Sequence, residues 1–112
     1  MPDGTRGDEA CMVVSTASGE AEAGDIARAV LAARLAACVQ ILPVTSHYWW
    51  DGRIQGGAEH LMIFKARVED YPALEAAIRE RHSYDVPEIV QVPIQAGSPD
   101  YLAWLRRETR RP

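Results

Sequence analysis

The stretch Ser46-His47-Tyr48-Trp49-Trp50-Asp51-Gly52-Arg53-Ile54 sets the topology of this chain. Asp-Gly between two β-prone runs is a strong hairpin signal, because the favoured two-residue turn needs positive φ at both positions. The run leading in, residues 36–50, is too rich in β-formers to be helix. Pro43 within it points to an edge position or a bend. The run leading out starts at Arg53 and continues into Leu61-Met62-Ile63-Phe64, a central strand. Gly56-Gly57 reads as a bulge between the two halves of this strand. The hairpin arms are therefore long.

Upstream, Cys11-Met12-Val13-Val14-Ser15-Thr16 is a first strand, broken by Ala17-Ser18-Gly19. Residues 20–35 turn helical, with Ile26, Ala29, Val30 and Ala33 on one face. Glu20, Glu22 and Asp25 at the start and Arg34 at the end suit the helix dipole. Downstream, Asp70 is placed to cap a second helix that buries Tyr71, Leu74, Ala77 and Ile78. His82-Ser83-Tyr84-Asp85-Val86-Pro87 ends it, since the residue before proline avoids α geometry. Residues 88–94 form a fourth strand. Ser98-Pro99 opens a third helix, with Tyr101, Leu102 and Leu105 on one side. The order β-α-β-β-α-β-α predicts an α+β, ferredoxin-like βαββαβ sandwich with an extra C-terminal helix and a long arm from the second and third strands.

The 112 residues suit one domain, and 47% hydrophobic and 25% charged residues are ordinary globular values. Residues 1–10 are polar and glycine-rich and read as a disordered lead-in, leaving 11–112 as the domain. A net charge of -4 disfavours nucleic acid as a partner. The one local exception, Arg106, Arg107, Arg110 and Arg111, reads as a solvated helix end. Cys11 and Cys38 match no zinc or redox spacing. No apolar h-region opens the chain and no run approaches the ~20 residues that span a bilayer, so no membrane partner and a cytoplasmic location are expected.

A ferredoxin-like sheet covers one face with its two main helices and leaves the other in need of a cover. Tyr48, Trp49 and Trp50 would add an aromatic patch on a projecting arm. Self-association resolves both, with these three residues at subunit contacts.

Five segments together resemble the CutA divalent-cation-tolerance family, from about Met12 to the C-terminus. They are Leu35-Ala36-Ala37-Cys38-Val39-Gln40-Ile41-Leu42-Pro43, the hairpin segment quoted above, Phe64-Lys65-Ala66, His82-Ser83-Tyr84-Asp85-Val86-Pro87-Glu88-Ile89 and Tyr101-Leu102-Ala103-Trp104-Leu105. The resemblance implies a tight homotrimer, similar in architecture to the PII signalling trimers. It also implies a link to divalent-metal tolerance, with copper bound by some members. Those members use a cysteine late in the first strand and two adjacent histidines after the second helix. The corresponding residues here are Ser15 and Arg81-His82, followed by Ser83 where the family has proline.

His82 is thus the expected donor for copper or another divalent metal, with Glu59, Tyr84 and Glu88 as companions. Cys38 packs more readily than it ligates, and His47 and His60 read as surface residues. Lys65, the only lysine, is implied with Glu59 to lie near the inter-subunit cleft. The pair reads either as an ion pair or as a site for an anionic small molecule. No nucleophile elbow, Cys/His pattern, Walker loop or dinucleotide loop appears, so no enzyme activity and no organic cofactor are expected. Two functions follow: a metal-binding trimer centred on His82, or a PII-like trimer taking a small molecule or a protein partner at Glu59, Lys65, Tyr84 and Glu88.

Overall fold

The computed structural model describes residues 9–111. Its elements are β1 (Ala10–Ala17), α1 (Glu20–Ala32), β2 (Cys38–Trp50), β3 (Arg53–Arg67), α2 (Tyr71–Arg81), β4 (Ile89–Pro93) and α3 (Pro99–Glu108), with one 3₁₀ turn at Val68–Asp70. The four strands form one antiparallel sheet in the order β2-β3-β1-β4. This is the expected βαββαβ arrangement followed by a third helix. Strand β1 starts at Ala10, one residue inside the segment assigned to the lead-in; residues 1–8 of that lead-in lie outside the described residues.

Alternation sorts the strand residues onto two faces. Val13, Ser15, Ala17, Met62, Phe64 and Ala66 are buried on one, against Ile26, Val30, Leu74 and Ile78 of α1 and α2. Burying each large apolar side chain among them contributes roughly 2 kcal/mol, so this helix face is the core. On the opposite, open face, Tyr101 and Leu102 of α3 share a groove with Met12 and Lys65. Helix α3 therefore covers only one end. Leu42, Val90 and Val92 remain exposed beyond it.

Asp51 (φ 55°) and Gly52 (φ 72°) both take the left-handed conformation, the primed turn that Asp-Gly favours. From that turn β2 and β3 pair without interruption, from Trp50 with Arg53 to Cys38 with Lys65. The bulge expected at Gly56-Gly57 is absent. Gly56 lies opposite His47, and a Cβ there would come within 2.9 Å of the His47 ring nitrogen. The glycine makes room for a ring, not for an extra residue. Pro43 is accommodated because β2 is an edge strand.

Helix α1 ends at Ala32, short of the expected Leu35. Arg34 takes a left-handed φ of 61°, its N–H donates to Leu31, and that of Leu35 donates to Val30. This closing motif usually falls on glycine. Here the Arg34 side chain donates to the Glu108 carbonyl and carboxylate, and its own carbonyl accepts from Arg111. The buried face of α1 is Ala23, Ile26, Ala27 and Val30, so Ala33 is exposed against expectation. Asp70 does not cap α2. Its carboxylate, 4% exposed, receives both terminal nitrogens of Arg111 at 2.7 and 3.2 Å and lies 3.5 Å from Arg67. Two arginines outcompete the local helix amides.

Candidate functional site

The uniform β2–β3 register decides which arm residues act together. Ser46, Tyr48 and Trp50 fall on the same face as Glu59, and the β1–β3 register adds Thr16 to it. The loop between α2 and β4 approaches this face and contributes Tyr84, Asp85, Val86 and Glu88. Together with His47, read from the sequence only as a surface residue, they line a cavity of about 590 Å³. Tyr84 is the hinge of the arrangement, since its hydroxyl donates to Glu59 Oε2 at 2.8 Å and ties the loop to β3. Burial, and then the Glu59 carboxylate that accepts its proton, push the Tyr84 hydroxyl up to about 12. It remains a donor throughout the neutral range.

Three expected site residues, Glu59, Tyr84 and Glu88, thus converge. Two arm aromatics expected at subunit contacts, Tyr48 and Trp50, also line the cavity. Lys65 does not. It is six residues from Glu59 on the same strand, about 20 Å away at strand rise, and its Nζ donates to Gln40 Oε1 at 2.8 Å. Among the described residues no lysine or arginine lines the cavity, so the anionic ligand expected from Lys65 loses its counter-charge.

His82 lies behind the cavity wall, stacked at 4.8 Å on the Tyr84 ring, with no side-chain exposure. Its Nδ1 accepts the Tyr84 N–H at 3.1 Å, which fixes the ring proton on Nε2, and Nε2 donates to the Thr16 carbonyl at 2.6 Å. Both nitrogens are occupied. Glu22, 3.9 Å from Nδ1, accepts from the Ser18 amide and hydroxyl and from the Ser83 amide. Burial raises the Glu22 carboxyl, but these hydrogen bonds outweigh it and hold the group at about 2.

The residues at the positions of the copper ligands do not fit a metal. The buried Ser15 hydroxyl has no hydrogen-bond partner among the described residues, and Arg81 faces Asp25 at 3.7 Å. Among the described residues no group of three or more His, Cys, Asp or Glu is placed to hold a metal ion.

Sequence reasoning missed Asp85, Ser46 and the structural role of Glu22. The spacing of Ser46, Tyr48 and Trp50, every second residue before the turn, could have placed them on one face. Ser18, four residues before Glu22, is a local signal for half of that role; Ser83, sixty-one residues on, is not legible. His60, expected at the surface, is half-buried, with its Nδ1 sealed and unpartnered among the described residues.

Residues 11–108 match the family model described as CutA1 divalent ion tolerance protein. The chain is 42% identical over 103 residues to the Divalent-cation tolerance protein CutA of Citrobacter koseri, covering 91% of this chain and 90% of that one. It is 44% identical over 91 residues to the chloroplastic Protein CutA 1 of Oryza sativa, covering 80% of this chain but only about half, 51%, of the rice protein. Among solved structures, the periplasmic divalent cation tolerance protein CutA of Archaeoglobus fulgidus superposes with a TM-score of 0.89 at 35% identity, over 90% of this chain and 99% of that one. The divalent cation tolerance protein of Thermus thermophilus gives 0.87 at 40% identity, with the same coverage.

Proposed function

The chain belongs to the CutA1 divalent ion tolerance protein family, and from that premise we propose that it acts as a homotrimeric binding protein, not an enzyme, whose cavity at Glu59, Tyr84 and Glu88 takes a small ligand. One observation carries the reading. Three of the four expected cleft residues, Glu59, Tyr84 and Glu88, open onto a shared cavity, whereas the expected metal donor His82 is sealed with both nitrogens engaged. A metal role through His82 would require the ring to release Thr16 or Tyr84, so any direct contact with copper or another divalent ion is weak.

Assembly as a trimer is supported by uncovered apolar surface. Leu42, Val90 and Val92 are exposed on the open sheet face, and Trp49 (71%) and Ile54 (67%) are bare on the arm. Strands β2 and β4 are both sheet edges. A lone domain rarely leaves such edges and patches open to water. Residence in the cytoplasm is proposed with it, supported by two free thiols in a chain without a disulfide among its described residues; fractionation of cells tests it.

The test of the cavity is a thermal-shift screen of small metabolites on the intact protein beside Tyr84→Phe. A ligand that occupies the folded state raises the melting temperature by mass action. At least one compound should stabilise the parent and lose most of that effect in the variant. A screen whose every hit acts equally on both proteins would sink the reading.

A further inference from the structure

We propose a second binding site on this chain, a groove at the C-terminal end of α3 that holds a small polyphosphate such as pyrophosphate. The helical period sets Ala103, Arg106, Arg107 and Arg110 along one face of α3 and just past its end. Arg67, from the end of β3, joins them around a space of about 500 Å³. Every lining residue is an arginine except Ala103, which adds no charge. The chain as a whole carries a formal charge of -4, so this cluster runs against the balance of the molecule and draws in an anion.

The helix end itself does not need these side chains. Cations in a last turn ordinarily serve its open carbonyls, and here other groups have taken them. The Leu105 and Arg106 carbonyls accept from the Thr109 hydroxyl, that of Arg107 from the Arg110 amide, that of Glu108 from Arg34, and that of Thr109 from Arg67 and Arg111. The guanidinium groups of Arg106 and Arg110 make no hydrogen bond or ion pair among the described residues, and Arg107 has only Glu108, at 3.8 Å. Arg67 is held in place by the Thr109 carbonyl at 3.1 Å, Asp70 at 3.5 Å and Glu69 at 3.7 Å. Those two carboxylates offset its charge, so Arg67 forms the fixed floor and the three exposed helix arginines supply the attraction. Like charges three and four residues apart on a helix repel, and a multiply charged anion between them relieves that repulsion.

The walls select the class of anion. A guanidinium fork pairs two N–H donors with two oxygens of one phosphoryl group. Arg106 and Arg110 stand about 6 Å apart along the helix axis, which suits two linked phosphoryl groups better than one. Among the described residues no aromatic side chain lines the groove, so a nucleobase finds nothing to stack on. The groove also stands apart from the surfaces proposed for assembly. Arg67 ends β3 about 45 Å from the arm turn at strand rise, and none of Leu42, Trp49, Ile54, Val90 and Val92 lines the space. At this end the open sheet face is already covered by α3 of the same chain, through the buried Leu105 and Thr109.

The test is calorimetry on the whole protein with pyrophosphate, orthophosphate, decathymidylate and phosphatidylglycerol vesicles. The parent is compared with an Arg106→Gln, Arg110→Gln double variant and with Arg79→Gln, which removes an exposed arginine from α2, and solution mass is measured for each. Arg106 and Arg110 are exposed, so the double variant keeps its core. The expected result is saturable binding of one pyrophosphate per chain, weakened at least about tenfold in the double variant, nearly unchanged in Arg79→Gln, and tighter than orthophosphate. No saturable binding, or binding indifferent to the double variant, would overturn the site. Equal losses in Arg79→Gln and the double variant would show diffuse charge attraction instead of a groove and overturn it too. Orthophosphate binding as tightly as pyrophosphate would overturn the polyphosphate assignment. Tighter binding of decathymidylate or of the vesicles, lost in the double variant, would reassign the groove to a macromolecular surface. A fall in the solution mass of the double variant would place these arginines at a subunit contact and overturn the proposal. The cavity reading at Glu59, Tyr84 and Glu88 stands or falls separately, because no residue is shared between the two sites.

Discussion

The Nε2 of His82 lies 2.6 Å from the carbonyl oxygen of Thr16, sixty-six residues earlier in the chain. The bond joins the end of α2 to the end of β1, and the Tyr84 amide fixes the ring from its other side. The histidine therefore acts as a bracket for the loop that carries Tyr84, Asp85 and Glu88. Replacing it by alanine removes two hydrogen bonds and leaves a buried gap. His82→Ala should cost about 2–4 kcal/mol in denaturant unfolding and leave a copper titration unchanged. A saturable copper site lost in the variant would instead restore His82 as a metal ligand.

Glu22 makes the same region acid-sensitive. Its folded carboxyl is held at about 2, against an ordinary value of 4.5. A depressed folded value means that the unfolded chain takes up the proton first as pH falls. The stabilisation is full above pH 4.5 and is lost as pH drops toward 2. Glu22→Gln should lower stability at neutral pH by up to ~3 kcal/mol and flatten the stability profile over that window. Parallel profiles for parent and variant would count against the assignment.

Asp70 is the buried end of a longer connection. Arg111 and Arg67 converge on its carboxylate, so Asp70→Asn leaves two guanidinium groups with a weaker acceptor. A loss of roughly 2–4 kcal/mol is expected on unfolding, and an Asp70→Asn, Arg111→Ala double variant should lose less than the two single losses added together, because the residues are coupled. Additive losses would show that the two residues act separately.

The two thiols should react very differently. Burial, then the nearby Asp70 charge, push Cys11 up to about 11, and its side chain has no exposure. Cys11 should remain unmodified by an aromatic disulfide reagent at pH ~7 until denaturant is added. Labelling of Cys11 in the native protein, located by mass spectrometry, would contradict its place in the core.

Trp49 and Trp50 carry the arm prediction. Changing both to serine should lower the solution mass measured by light scattering, and a double variant that keeps the mass of the parent would remove these side chains from the proposed subunit contact.

What the sequence made legible follows the range of each interaction. Asp51-Gly52 is a two-residue signal with one good backbone solution, and the hairpin turns at that pair. Ile26 and Val30, or Leu74 and Ile78, obey a helical period, and they are buried. Asp70 misled because the arginine that claims it comes forty-one residues later, beyond any local capping rule. Gly56-Gly57 misled because a glycine opposite a ring and a glycine in a bulge look the same in one dimension. At the site, Glu59 and Lys65 stand on one strand and one face, yet strand rise keeps them apart. Conversely, Tyr84 and Glu59 meet only because the loop after α2 is folded over the arm.

The unbroken pairing of β2 with β3 also imposes a rule of parity. Adding one residue to each strand below Ser46 and Gly57 would turn every side chain beyond that point to the opposite side. Tyr48 and Trp50 would then leave the cavity for the other side of the arm. Adding two to each would restore their direction and carry them about 7 Å farther out. The arm can therefore change length only in even steps without dismantling what it encloses, and its reach is quantised by the pleat of the strands.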